Sequence, residues 1–251
     1  MAYVLKIGGA SISPAELFPK LAEYQVLPQL AKEVIIDRAM AEIECTAEER
    51  EIAKQQFCQQ QQIKSEEQLQ AFAKEQFMTL DQLLVRLERS IKLQKFKEAT
   101  WGKKLESYFL QRKGQLDQVI YSLLRSQDAG LIQELYFRIL EGESTFAELA
   151  RQYSQGSEAE TGGLIGPVEL TVPHPTIAKM LTNSQPGQLL PPTRLGDWLV
   201  ILRLEKLILA QLDGQMRQRL LEEQFRTWLQ EQLLSTVSFS YEEENKLVDE
   251  D

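Results

Sequence analysis

The alternation of apolar and polar positions divides the chain into three stretches. Residues 1–113 have helical periodicity, in which apolar side chains recur on one helix face, as in Leu80, Leu83, Leu84, Leu87 and Ile91. Residues 118–124 are instead rich in β-branched and aromatic side chains, which predicts a short buried strand. Helical periodicity returns at Leu209. The pattern therefore predicts a helical region, a compact α+β module and a long final helix.

Several helix starts can be read from capping boxes, in which a hydroxyl accepts from an early helix N–H and the third residue reaches back. In the helical region they begin at Ser13, Thr46, Ser65 and Thr79. Within the module, two helices are expected, one near residues 128–140 and one capped by Thr145. The Gly- and Pro-rich segment that follows, from Gly156 to Pro192, predicts mainly turns and loops. A second strand is expected at residues 199–202.

The final helix has an apolar stripe over residues 209–233 that one helix cannot bury by itself. We therefore expect it to fold back on the first region. The predicted domains are a helical domain at 1–113, an inserted module at 114–206, and a C-terminal helix with an acidic tail at 207–251. A short alternation at residues 237–241 precedes that tail.

The charge balance argues against nucleic acid as a partner. The formal charge is −9, and six acids and one lysine fall within residues 242–251. A nucleic-acid-binding protein needs a dense basic stripe to displace counterions from phosphates, and this sequence has none. The acidic end is expected to be a solvated tail.

No uninterrupted run of 18 apolar residues occurs, and the first 14 residues lack a basic segment followed by an apolar one. The sequence therefore predicts a cytoplasmic protein that does not insert into a membrane. Cys45, Cys58 and the single histidine, His174, are too few and too dispersed for a zinc site. We expect no metal and no cofactor. A Ser-His-Asp site would depend entirely on His174, which lies between two prolines in a rigid loop.

Residues 114–206 resemble the parvulin-type, or rotamase, module of peptidyl-prolyl isomerases. The resemblance rests on motifs in the family's order and spacing: Thr145 to Ala150 with Tyr153-Ser154, Gly162 to Gly166, Gln185 to Gln188 with Pro191-Pro192, and Gly196 to Ile201. The flanking segments Lys6 to Ser13 and Ile43 to Glu49 are similar to the helical domain of SurA-like and PrsA-like chaperones. The resemblance implies an α+β protein: a mainly helical N-terminal domain, completed by a C-terminal helix, with an inserted four-stranded antiparallel sheet flanked by helices.

The resemblance also implies a site. Parvulins usually have one His on the first strand, a second on the last strand, and a Cys or Asp between them. The matching positions here are Ser122, Trp198 and Gly156, so all three depart from the pattern. Thr193 keeps a family-like hydroxyl. The cup for the proline ring would be formed by Ile165, Pro173, Ile177 and Met180.

Two functions are expected from these residues. The resemblance implies a peptidyl-prolyl cis-trans isomerase that acts on unfolded or flexible polypeptides, with weak activity because its site is degenerate. An isomerase favours the twisted amide over the planar one, and no bond is broken. The alternative is a non-catalytic chaperone or peptide-binding module, in which the helical domain supplies an apolar cradle and the degenerate rotamase module supplies a recognition surface. Neither the clients nor the oligomeric state follow from the sequence.

Overall fold

The computed structural model describes residues 5–237, so the 238–241 part of the predicted alternation and the acidic tail lie outside the described residues. The chain forms two compact units. Among the described residues, the helical unit combines residues 5–105 with 217–237, and the sheet unit spans Glu106–Met216. The division lies at 105/106 and 216/217, where the sequence suggested 113/114 and 206/207, because Gly114 lies inside a continuous helix, Leu105–Leu116.

The helical unit consists of a short hairpin and six helices among its described residues. The hairpin is β1 (Leu5–Ile7) with β2 (Ala10–Ile12). The helices are α1 (Pro14–Glu23), α2 (Leu27–Ala39), α3 (Ala47–Gln60), α4 (Glu66–Glu75), α5 (Leu80–Trp101) and α10 (Gly214–Thr236), the last of which begins just before the division. No helix within residues 5–237 is long and apolar enough to span a bilayer.

The sheet unit contains a four-stranded antiparallel sheet in the order β4-β3-β6-β5. Its strands are β3 (Gln118–Ser126), β4 (Leu164–Glu169), β5 (Leu189–Leu195) and β6 (Trp198–Ile208). Its helices are α6 (Leu105–Leu116), α7 (Ala129–Leu140), α8 (Phe146–Tyr153) and α9 (Pro175–Thr182). The predicted fold class is confirmed, including the inserted antiparallel sheet with flanking helices.

Helix α10 completes the helical unit through an aromatic cluster. Phe225, which is 6% exposed, packs with Trp228, with Trp101 of α5 and with Ile36 of α2. The ring centroids of Phe225 and Trp228 are 5.8 Å apart, in a stacked arrangement. A helix with this apolar stripe is stable only when the stripe is covered. The packing of α10 on α2 and α5 therefore holds the two distant parts of the sequence in one unit.

A partly buried ion pair lies beside the same cluster. The Lys97 ammonium is 2.6 Å from Glu222 Oε2 and 4.4 Å from the centroid of the Phe225 ring. Burial by itself would raise the pKa of Glu222, but the hydrogen bond and charge of Lys97 outweigh burial and hold that pKa below its ordinary value. Because Lys97 is only 9% exposed, its charge needs this carboxylate.

The capping predictions are confirmed with one difference. Ser13, Thr46, Thr79 and Thr145 form complete capping boxes. Ser65 caps α4 by accepting from the N–H of Gln68, but the Gln68 amide oxygen accepts from the N–H of Lys64. The prediction of a full box at Ser65 is therefore wrong, because the preceding residue offers a better-placed donor.

Three other expectations are corrected by the structure. The segment 156–192 is not mainly loop, because it contains β4, α9 and part of β5. These elements are short and their partners are distant in sequence, so local composition did not indicate them. The final helix begins at Gly214 rather than Leu209. The sequence reading also missed the N-terminal hairpin, whose two-residue turn has positive φ at Gly8 and Gly9.

Candidate functional site

The sheet of the second unit has a different layer on each face. On the face that we call the α9 face, Ile177 and Leu181 of α9 pack on side chains of β3 and β6. On the opposite face, which we call the α8 face, Phe146 of α8 and Leu135 of α7 pack on Leu124 of β3 and Ile201 of β6. Successive residues of a strand point to opposite faces, so β3 supplies both layers.

The α9 face brings together most of the residues that the sequence predicted for the proline cup. Of these residues, Ile165 and Met180 are partly buried there and Ile177 is 7% exposed. Trp198, the predicted last-strand position of the site, is partly buried on the same face. Pro173 is buried in the turn before α9.

The predicted site residue Thr193 and the single histidine, His174, lie near this face. Thr193 pairs with Val200, a core residue of the α9 face, and its hydroxyl donates to the Pro191 carbonyl over 3.1 Å. His174 caps α9, because its Nδ1 accepts from the N–H of Thr176.

Ser122 lies elsewhere. It is 3% exposed and sits between Tyr121 and Leu123, which both point to the α9 face, so Ser122 points to the α8 face. Its hydroxyl donates to Glu205 Oε1 over 2.5 Å, and Arg203 Nε donates to the same oxygen over 2.8 Å. The structure therefore does not bring Ser122 together with Trp198, and Ser122 belongs to a separate polar cluster.

Gly156 adjoins an ion pair that fills the space where a side chain would lie. A Cβ atom built on Gly156 would be 2.1 Å from Arg125 Nε and 2.2 Å from Glu158 Oε2. Real Cβ atoms do not approach other atoms so closely, so a larger residue at 156 requires the pair to move. The position where parvulins usually have Cys or Asp is thus occupied by the side chains of two neighbours.

This ion pair is partly buried. Arg125 Nε lies 3.2 Å from Glu158 Oε1, and the two side chains are 33% and 5% exposed. The contact is electrostatic, because the Nε–H is buried and makes no aligned hydrogen bond. The Ser154 hydroxyl donates to the same Glu158 oxygen over 2.6 Å. Glu158 therefore has a hydrogen bond and a cation to offset its burial.

Trp198 covers the other side of Arg125. The Arg125 Cζ atom is 5.2 Å from the Trp198 ring, within the range of a cation–π contact. The geometry follows from the register, since Arg125 pairs with Val200 and Trp198 lies two residues before Val200 on the same face. Burial, and to a smaller degree the charge of Glu158, raise the pKa of Tyr121 on this face.

Backbone contacts fix the loop that carries Gly156 and Glu158. The N–H of Gln155 donates to the Arg125 carbonyl over 3.0 Å, and the Ser154 hydroxyl accepts from the Arg125 N–H. On the other side of Glu158, the N–H of Leu123 in β3 donates to the Gly163 carbonyl over 2.9 Å. The loop is therefore tied to the end of β3 on both sides of Glu158, which positions the carboxylate beside Arg125.

Sequence reasoning missed Arg125, Glu158 and Tyr121. One signal was present for Arg125, because it is the one charged side chain in the predicted strand region around Leu123 and Leu124. No sequence signal indicated that Glu158 is buried, since acidic residues in a Gly-rich loop are expected to be exposed to solvent. The α9 face thus carries three partly buried apolar side chains, Ile165, Met180 and Trp198, and the last of these adjoins the ion pair through Arg125.

The family model described as "Rotamase: PPIC-type PPIASE domain" matches residues 110–206. The chain therefore contains a PPIC-type rotamase domain, and the resemblance drawn from the motifs is confirmed over these residues. A search of curated protein sequences found no significant match.

Solved structures similar to this chain include PrsA proteins and a SurA-like chaperone. A peptidylprolyl isomerase (PrsA) from Bacillus cereus has 18% identity and a TM-score of 0.49, and the match covers 96% of this chain and 93% of that one. PrsA from Bacillus anthracis has 17% identity and a TM-score of 0.45, with coverage of 85% and 100%. A SurA-like chaperone from Campylobacter jejuni has 16% identity and a TM-score of 0.38, with coverage of 96% and 100%.

Proposed function

We propose that the protein is a peptidyl-prolyl cis-trans isomerase with low turnover that acts on unfolded or flexible polypeptides. The observation that supports this proposal is the α9 face of the rotamase domain, where Ile165, Met180 and Trp198 remain partly exposed and Trp198 lies beside Arg125. An apolar surface of this kind fits a proline ring, and shape together with a few polar groups is enough to favour a twisted amide. The cytoplasmic location remains a prediction from the sequence.

The proposal is tested with a proline-containing tetrapeptide and full-length protein at micromolar concentration. We expect a measurable acceleration of cis-trans exchange that is small beside that of a parvulin with both histidines, because this site lacks them. The substitution Trp198→Ala should abolish the acceleration, since it removes the large apolar wall next to Arg125. Phe137→Ala is the matched control, because Phe137 is 47% exposed on α7, the other side of the sheet. Exchange equal to the buffer blank would contradict the proposal.

A second candidate function is chaperoning without catalysis, and the helical unit favours it. Val85 is 66% exposed between two grooves of about 410 and 440 Å³, which share Val85 and Glu88. Met40 lines one groove and Leu84 the other. Both grooves are lined by apolar and charged side chains together, which suits an unfolded segment of mixed composition.

This candidate predicts that the full chain suppresses aggregation of an unfolded model protein. Val85→Lys should reduce the protection, because it places a charge between both grooves. The same change at Leu234, which is 82% exposed on α10 outside both grooves, is the control. Equal protection by the two variants would reject the grooves as the client surface.

A further inference from the structure

Arg125 has donors that the fold leaves unused. Its Nε–H faces Glu158 and its guanidinium plane adjoins Trp198, but no described residue accepts a hydrogen bond from its terminal nitrogens. A guanidinium carries five N–H donors in a planar fork. One third of the side chain is exposed, next to the apolar surface of the α9 face.

The charge of Arg125 is already compensated. Glu158 is buried against it, and within the described residues the carboxylate has no other cationic partner. An isolated arginine would attract anions, whereas a paired one presents directed N–H groups with little net charge. The site therefore suits a neutral carbonyl oxygen better than an acidic side chain.

The absence of a side chain at position 156 is a condition for this arrangement. Any Cβ at Gly156 would overlap Arg125 and Glu158, so glycine there lets the pair lie against the loop. The arginine is thus held on three sides, by the loop, by Glu158 and by Trp198. Its position is fixed before a ligand arrives, which lowers the entropy lost on binding.

We infer that Arg125 is a client-binding residue, which donates hydrogen bonds to a backbone carbonyl of an apolar, proline-containing segment while the proline ring packs near Trp198. The inference rests on the proposed function and names the substrate class of the same site. The preferred client is an apolar residue followed by proline, because the remaining lining of the site is apolar and the ion pair is neutral overall.

The test measures binding of a fluorescein-labelled apolar-Pro peptide to the full chain by anisotropy. The double variant Arg125→Met/Glu158→Gln removes both charges together, so no buried charge is left unpaired, and glutamine keeps an oxygen for the Ser154 hydroxyl. We expect binding to weaken about tenfold or more, because a charged donor is lost. Thermal unfolding should change little. Arg151→Met, an exposed arginine of α8 on the opposite side of the sheet, should bind like the wild type.

A second variant tests the role of Arg125 by a change in the loop that holds it. Gly156→Ala keeps both charged residues but displaces them, so it should weaken peptide binding as the double variant does. Unchanged binding in the double variant, with wild-type protein binding the peptide, would overturn the role of Arg125 while leaving the proposed function intact. No binding by wild-type protein would instead count against the proposed function.

The peptide series separates a carbonyl from an anion as the ligand group. Peptides with an apolar residue, Glu or Lys before proline are compared, with an Ala-for-Pro peptide as the reference. We expect the Glu peptide to bind no better than the apolar one. A strong preference for Glu that disappears in the double variant would overturn the neutral-carbonyl assignment and make Arg125 an anion site.

Discussion

Gly166→Ala should disrupt the sheet of the rotamase domain. Gly166 lies in β4 with φ of +117°, a backbone conformation that residues with a side chain rarely adopt. A Cβ atom there would lie 2.5 Å from the Val119 carbonyl oxygen and 3.1 Å from Ile120 Cα. Both are backbone atoms of β3 that cannot rotate away. The combined cost of strain and overlap is about 3 kcal/mol or more.

The measurement is amide hydrogen exchange of the full chain, read by mass spectrometry on peptides from β3 and β6. A loss of about 3 kcal/mol corresponds to exchange about 100-fold faster wherever exchange requires opening of the sheet. Gly187→Ala is the matched control, because Gly187 also has positive φ, +83°, but nothing lies within 4 Å of its Cβ position. It should cost about 1–2 kcal/mol. Equal effects of the two variants would show that the close approach of β4 to β3 is not as described.

Phe225→Ala should detach α10 from the rest of the helical unit. The ring is 6% exposed, stacks on Trp228 and lies under the Lys97 ammonium. Removing a buried phenylalanine costs about 3–5 kcal/mol, through lost burial and the cavity that remains. Here the buried lysine also loses the ring that its charge contacts, which favours the upper part of that range.

Urea unfolding monitored by tryptophan fluorescence is suited to this change, because Trp101 and Trp228 are both in the cluster. We expect the transition of the helical unit to move to lower urea, and exchange in α10 to accelerate. Leu234→Ala, on the same helix but 82% exposed, should leave the transition nearly unchanged. A helical unit unaffected by Phe225→Ala would mean that α10 contributes little to its stability.

Much of the fold follows from local signals. Helix α8 begins after Thr145, whose hydroxyl forms a capping box with Glu148. This start does not depend on the tertiary structure, because both partners of a capping box lie within one turn. The strand at residues 118–124 was readable because β-branched and aromatic side chains fill both faces of a buried strand. The four-stranded sheet was predicted from the resemblance to the parvulin-type module, since the hydrophobic periodicity alone did not predict it.

The site was only partly readable, since it depends on register. The apolar cup residues Ile165, Ile177 and Met180 could be assigned from the resemblance, and they do lie on one face. Ser122 could not be placed on a face from the sequence, because the pairing of β3 with β6 contains a bulge between Ile120 and Tyr121. At this bulge, Glu205 of β6 has no residue of β3 paired with it in the backbone ladder. A shift of one residue in register reverses the face to which a strand residue points.

The sequence by itself determined where most helices begin and that an α+β module is inserted between helical segments, because both depend on residues that are neighbours along the chain. Only the tertiary structure decided that Arg125, Gly156, Glu158 and Trp198 meet at one place. Those residues come from a strand end, a loop and a distant second strand, and their contact depends on strand pairing and on a glycine that leaves room for an ion pair. Such contacts are long-range, so no local pattern specifies them.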